Sequence, residues 1–200
     1  MAKYHKYVFD TDARQLVGAF EEMYQAEDRE GFDSWHSHDA RQLRLRLADV
    51  LLSQHNFSSV LEIGCGKGTA AQFLKKQNNR VVGIDVSATA IAKAKNSFPD
   101  IDFRVMDACD VGSLNERFDL VSVQGVFAYI PTWRDVLRTI AGMTDYCLIG
   151  EYIPPNPIGM VKSAAELVEA FDEHFKVEHQ LVLDNEIVIV FGRLREKAGR

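Results

Sequence analysis

Three glycines at alternate positions, Gly64, Gly66 and Gly68, separate the apolar run Val60-Leu61-Glu62-Ile63 from Thr69-Ala70-Ala71. Glycine tolerates φ > 0 and carries no Cβ, so the backbone there can approach a ligand within van der Waals contact. With a strand before the loop and a helix after it, the helix start adds unpaired N–H groups. Seventeen residues past Gly68, the run Val82-Gly83-Ile84 ends in Asp85. A carboxylate at that point is where doubly wound folds hold the two hydroxyls of a ribose. The alternative is a purely structural turn followed by a carboxylate at a helix start. Strand context, glycine spacing and acid occur together, which favours the nucleoside ligand.

The elements that must position these residues alternate along the chain. Short β-branched runs at Ser59–Ile63, Arg80–Asp85, Ile101–Met106, Phe118–Val123 and Tyr146–Glu151 predict strands. Between them, Thr69–Gln77, Ser87–Ser97, a short stretch near Ser113 and Thr132–Gly142 predict helices, with Ser87 and Thr132 as N-caps. Ser163-Ala164-Ala165-Glu166 reads as a capping box opening a helix with Leu167, Val168 and Phe171 on its apolar side. Lys176–Leu183 and Ile187–Phe191 are separated by three residues, too few for a parallel crossover, so they predict an antiparallel hairpin. Two amphipathic helices precede this core. One carries Leu16, Phe20, Met23 and Tyr24, the other Leu43, Leu47, Val50 and Leu51. The expected fold is α/β: a doubly wound, Rossmann-like sheet of seven strands. It is mostly parallel, with one antiparallel strand from the C-terminal hairpin, helices on both faces and a helical N-terminal lid. Residues 1–200 read as one domain, a lid over 1–57 and a cofactor-binding core over 58–200.

Composition narrows the class. At 200 residues with 46% hydrophobic content the chain can bury one substantial core. No long uncharged apolar run predicts a membrane span, and no apolar stretch follows the N-terminal lysines as in a secretion signal. The 23 basic and 29 acidic side chains leave a net charge of −6, which argues against nucleic acid as the partner. Arg41, Arg44 and Arg46, interrupted by leucines, read as the wet face of a helix. Three scattered cysteines fit no metal spacing and no disulfide framework, so no metal and a cytoplasmic location are expected.

The motif Glu62-Ile63-Gly64-Cys65-Gly66-Lys67-Gly68 reads acid, then G-x-G-x-G, rather than the G-x-G-x-x-G of dinucleotide folds. In this it resembles the class I S-adenosylmethionine-dependent methyltransferases, a likeness running from about Ser58 to the C-terminus. That family has a seven-stranded sheet whose last strand is antiparallel. The resemblance implies S-adenosyl-L-methionine as cofactor and S-adenosyl-L-homocysteine as product. It assigns Glu62, Gly64, Gly66 and Gly68 to the methionine part and Asp85 to the ribose. Val86, Asp107 and Ala108 would surround the adenine, and Gln124 at the end of the fourth strand joins the cofactor set. Asp107 also reads as a helix cap, and neither Cys65 nor Lys67 is given any chemistry.

Methyl transfer needs the reacting atoms held in line about 3–3.5 Å apart, water excluded and, for some acceptors, a base. Many relatives carry paired histidines after the fourth strand; here Phe127-Ala128-Tyr129 stands instead, making Phe127 a substrate candidate and Tyr129 a catalytic candidate or packing. In the lid, Tyr24 and Trp35 are candidate substrate contacts, and His36 and His38 are candidate bases. Their alternative is an anchoring tryptophan and solvated histidines. Glu151 and Tyr152, after the fifth strand, are further substrate candidates or a surface turn. The Phe20-Glu21-Glu22-Met23-Tyr24 segment and the tryptophan after it resemble nodulation-type N-methyltransferases. Asp33-Ser34-Trp35 stands where those show Asp-Pro-Trp, so their substrate is not carried over. The Asp/Asn-Pro-Pro-Tyr/Phe stretch of nucleic-acid amino-methyltransferases is absent.

The expected function is methyl transfer to an oxygen or nitrogen of a small molecule. The alternatives are a non-catalytic S-adenosylmethionine-binding sensor or partner subunit, and a nicotinamide-dependent oxidoreductase, disfavoured by the glycine spacing. Deleting the first forty residues, which belong to the lid, is expected to spare cofactor binding but abolish turnover.

Overall fold

The computed structural model describes residues 4–36, 43–184 and 186–196. Its core strands are β1 (Ser59–Ile63), β2 (Arg80–Asp85), β3 (Asp102–Val105), β4 (Phe118–Gln124), β5 (Thr144–Tyr152), β6 (Phe175–Leu183) and β7 (Ile187–Leu194). They form one seven-stranded sheet in the order β3-β2-β1-β4-β5-β7-β6. β3, β2, β1, β4 and β5 pair in parallel, and β7 is antiparallel to both β5 and β6. One strand therefore runs backwards, as the short final connection demanded.

Beyond a single helical turn at His5–Val8, the α-helices among the described residues are α1 (Phe20–Glu30), α2 (Leu43–Leu52), α3 (Thr69–Leu74), α4 (Ala88–Ser97), α5 (Trp133–Ala141) and α6 (Ala164–Asp172). The inner strands are apolar on both faces because both are covered. Leu61, Ile63, Val121 and Val123 pack with Leu137 and Phe171 on one side. Val60, Leu120 and Leu148 pack with Ala48, Ala71 and Ile91 on the other. A third cluster, Tyr4, Val8, Met23, Tyr24 and Ala90, joins the N-terminal segment to α4. None of the helices described is long and apolar enough to cross a membrane.

Local expectations met mixed outcomes. The Ser87 hydroxyl accepts the Ala90 N–H at 3.0 Å, and Ser163 accepts that of Glu166 at 3.1 Å, so both caps form. The Thr132 side chain makes no cap bond to α5. The stretch near Ser113 is a 3-10 turn, Ala108–Leu114. Leu16 is not in the first helix: Gly18, at φ 69, breaks the chain before Phe20, and Gln15–Leu16 pairs with Phe9–Asp10 as a small antiparallel ribbon. In α2 the buried face is Leu45, Ala48 and Leu52, whereas Leu43 and Val50 are 52% and 64% exposed. That helix is apolar on several sides, and the small Ala48 lets it settle closely on the sheet, which selects a different stripe from the one leucine spacing suggested.

Candidate active site

The carboxyl ends of β1, β2, β4 and β5 open into a cleft of about 1000 Å³, lined also by Tyr4, Phe9, Phe20, Tyr24 and Trp35 of the N-terminal segment. The glycine loop forms its floor. Gly64 has φ 68, and a Cβ there would lie 2.3 Å from a Val126 methyl. Gly66 has φ 51, and its Cβ would lie 2.8 Å from the Tyr24 hydroxyl. Gly68 faces elsewhere: its Cβ would meet Phe103 and Phe98 at 2.8 and 2.9 Å, so this glycine serves helix–sheet packing and does not line the cleft.

Asp85 stands at the cleft wall, 9% exposed. One of its oxygens accepts the Gly66 N–H at 2.8 Å and the other the Ser87 N–H at 2.9 Å, leaving each oxygen a lone pair for a ligand. Burial pushes its pKa up, against the pull of those two amides. Val86 is half exposed on the same wall, and Asp107 and Ala108 line it further along. Asp107 also caps the turn Ala108–Leu114, accepting the Cys109 N–H at 2.8 Å.

Glu62 is fully buried behind the cleft wall rather than among its lining residues. Neither carboxylate oxygen has a hydrogen-bond partner, and burial pushes its pKa up to about 8, with Ser122 and Arg44 drawing it down. Gln124 lines the cleft, its amide nitrogen 3.3 Å from the Ser122 hydroxyl and its oxygen unpartnered. Arg44 enters the same space: a Cβ on Gly125 would meet its guanidinium at 2.6 Å. It is half-buried and lines the cleft, which overturns the wet-face reading for this arginine.

Among the acceptor-side candidates, Tyr24 (3% exposed), Trp35, Tyr129, Glu151 and Tyr152 all line the cleft. Trp35, at φ 63, lies 5.1 Å from the Tyr4 ring and 5.5 Å from the Tyr129 ring. Phe9 and Phe20 complete an aromatic wall at 5.7 and 5.5 Å from Tyr129. Burial and the neighbouring Glu151 hold the Tyr129 phenol well above its ordinary pKa. Phe127 does not belong to the site: the 3-10 turn Phe127–Tyr129 aims it into the core, fully buried and 5.7 Å from Trp133. His36 closes the turn Ser34–His36; its side chain and all of His38 lie outside the described residues.

Lys67, given no chemistry from sequence, is a structural hub. Its ammonium, 7% exposed, lies 2.7 Å from Glu27 of α1 and 2.5 Å from Asp33. Glu27 also takes Lys93 of α4 at 2.9 Å. Burial would raise the Glu27 pKa, but Lys67, Ser34 and Lys93 together hold it below its ordinary value. Nearby, Ser87 and Thr89 hydroxyls both donate to Glu21 at 2.6 Å, and these bonds overcome burial to hold that carboxyl at about 2. The N-terminal segment is therefore bolted to the glycine loop and to the start of α4, which runs against the expectation that deleting the first forty residues spares cofactor binding.

A glycine loop between β1 and α3, an acid closing β2 and a sheet with one reversed strand define the class I methyltransferase fold. Residues 60–145 match the family model described as a methyltransferase domain. Its fold matches the crystal structure of N-methyltransferase NodS from Bradyrhizobium japonicum WM9, in complex with S-adenosyl-L-homocysteine. The TM-score is 0.73 at 22% identity, covering 86% of this chain and 98% of that one. By sequence it is 29% identical over 107 residues to ribosomal RNA small subunit methyltransferase A of Porphyromonas gingivalis, covering 54% of this chain and 33% of that protein. It is 25% identical over 109 residues to ubiquinone biosynthesis O-methyltransferase of Nitrosomonas europaea, covering 52% and 46%. The chain thus spans less than half the length of these two curated relatives.

Proposed function

We propose that the protein transfers a methyl group from S-adenosyl-L-methionine to an oxygen or nitrogen of a small molecule. The observation that carries this reading is Asp85, set in the cleft beside the glycine loop, with both carboxylate oxygens steadied by backbone N–H groups and each keeping a lone pair. That arrangement suits the two hydroxyls of a ribose. Val86, Asp107 and Ala108 extend the same wall toward a nucleobase. At the other end, Arg44 lines the cleft and offers a positive charge to the carboxylate of an amino-acid end group, while the unpartnered carboxyl of Glu62 lies just behind the wall, where an incoming ammonium would draw off its proton. The bound cofactor supplies a sulfonium methyl as electrophile; the protein's part is to orient the acceptor and keep water away.

A small acceptor is favoured by the size of the cleft. Arg14, on the N-terminal ribbon, donates to the Asn156 side chain at 2.8 Å and to the Asn156 and Pro157 carbonyls at 3.3 and 3.4 Å. These residues all line the cleft, whose volume is at the upper end of the roughly 300–1,000 Å³ typical of single ligand sites. Such a space suits a cofactor with a small acceptor beside it. The likeness to an N-methyltransferase and an O-methyltransferase keeps both atoms in range. Turnover of methyl-labelled cofactor against tyramine, catechol and benzoate, as amine, phenol and acid, tests the reading. S-adenosyl-L-homocysteine binding with no turnover on any of them would favour the sensor alternative.

A further inference from the structure

We propose that Glu151 is the proton acceptor of this site, taking the N–H or O–H proton of the acceptor group onto its free carboxylate oxygen as the methyl group is transferred. The proposal rests on the methyl-transfer reading above. Glu151 lies near the carboxyl end of β5, lines the cleft and is 1% exposed. One carboxylate oxygen is locked in place by the N–H groups of Val126 and Phe127, at 2.8 and 2.7 Å. The other oxygen has no partner. Two amides account for one oxygen and fix the carboxyl plane, while the second is buried at a cost that the turn it supports does not require. An isosteric glutamine would serve that turn equally well.

The surroundings suit proton transfer near neutrality. Burial pushes the Glu151 pKa up to about 7, against the pull of the Phe127 and Val126 amides, of Arg44 and, most weakly, of the Ala128 amide. Arg44 acts on it from α2 and Tyr129 from the turn after β4, while Gln124, at the end of β4, lines the same cleft. Tyr129 stays protonated over the working range, its phenol held high by burial. Glu151 thus brings to the cleft a carboxylate whose basicity suits neutral pH, where general bases are most effective.

The step balances as follows. The acceptor lone pair forms the new bond to the methyl carbon, and the carbon–sulfur pair returns to sulfur, leaving a thioether. The proton of the acceptor atom passes to Glu151, which becomes a neutral acid and sheds it to water once product leaves. The acceptor class follows: a primary or secondary amine or a hydroxyl, which must lose a proton, rather than a carboxylate or tertiary amine, which need not.

Two measurements test this. In protein carrying carbonyl-labelled glutamate and saturated with S-adenosyl-L-homocysteine, the signal absent from Glu151→Gln should titrate with a midpoint near 7; a midpoint below about 6 overturns the proposal. This arm needs no acceptor. With whichever panel acceptor turns over, Glu151→Gln should bind S-adenosyl-L-homocysteine within about threefold of wild type but lose about 100-fold or more in kcat, together with the acid limb of the pH profile. Turnover within about fivefold of wild type would overturn it and leave the methyl-transfer reading standing. Failure of the wild type to bind S-adenosyl-L-homocysteine would instead defeat the underlying reading.

Discussion

Replacing Lys67 with methionine removes the ammonium that ties the glycine loop to the N-terminal segment. Two carboxylates lose a partner: Glu27, whose side chain is 4% exposed, and Asp33, 27% exposed. Breaking a buried pair costs about 3–5 kcal/mol when a charge is left uncompensated. Here Glu27 keeps Lys93 at 2.9 Å and the Ser34 N–H at 2.8 Å, and Asp33 has access to water, so about 2–3 kcal/mol is expected. At this size that lowers Tm by about 5–10 °C. Thermal unfolding of Lys67→Met, Glu27→Gln and the double variant gives the coupling directly, expected at about 2 kcal/mol. Because the lost ion pairs anchor the loop, S-adenosyl-L-homocysteine should also bind more weakly. A Lys67→Met protein melting within about 2 °C of wild type, or a coupling near zero, would refute the account of this network.

Three further outcomes are expected. Gly64→Ala forces a side chain into φ 68 and into Val126, so it should destabilise by about 2–4 kcal/mol, with Val126→Ala recovering the steric share; no recovery in thermal melts would contradict the contact. Because Glu62 is protonated below about 8 in the free protein, an incoming ammonium must displace that proton, so S-adenosyl-L-homocysteine affinity should rise from pH 6 toward pH 8. Glu62→Gln should flatten that slope in calorimetry; an unchanged slope would assign the linkage to another group. Arg14→Ala should leave Tm within about 2 °C, since exposed contacts contribute little. It should nonetheless speed S-adenosyl-L-homocysteine release in stopped-flow, and an unaltered rate would mean this contact does not gate the cleft.

The strand and helix alternation made the sheet legible, because covered parallel strands must be apolar on both faces and a three-residue link cannot cross over. That Gly64, Gly66, Asp85 and Val86 line one cleft was legible too, since they are set by local strand–loop–helix chemistry. What escaped depends on contacts between distant segments. Lys67 meets Glu27 and Asp33 across 40 and 34 residues, and no local pattern announces that. Arg44 looked like a solvated residue because α2 is leucine-rich on several sides, so spacing did not say which face turns inward. Phe127 was misplaced for a related reason: a 3-10 turn rotates successive side chains apart, sending Phe127 to the core and leaving Tyr129 at the cleft. Glu151 was legible as a position but not as a role, which depends on the amides of Val126 and Phe127 meeting only one of its oxygens.

The central claim is that this cleft holds S-adenosyl-L-methionine through Asp85, and calorimetric titration with S-adenosyl-L-homocysteine tests it most directly. Wild type should bind one equivalent, and Asp85→Ala, which leaves ligand hydroxyls unpaired, should bind more weakly by about 1–3 kcal/mol. An absence of binding to wild type, or equal affinity in the variant, would contradict the account.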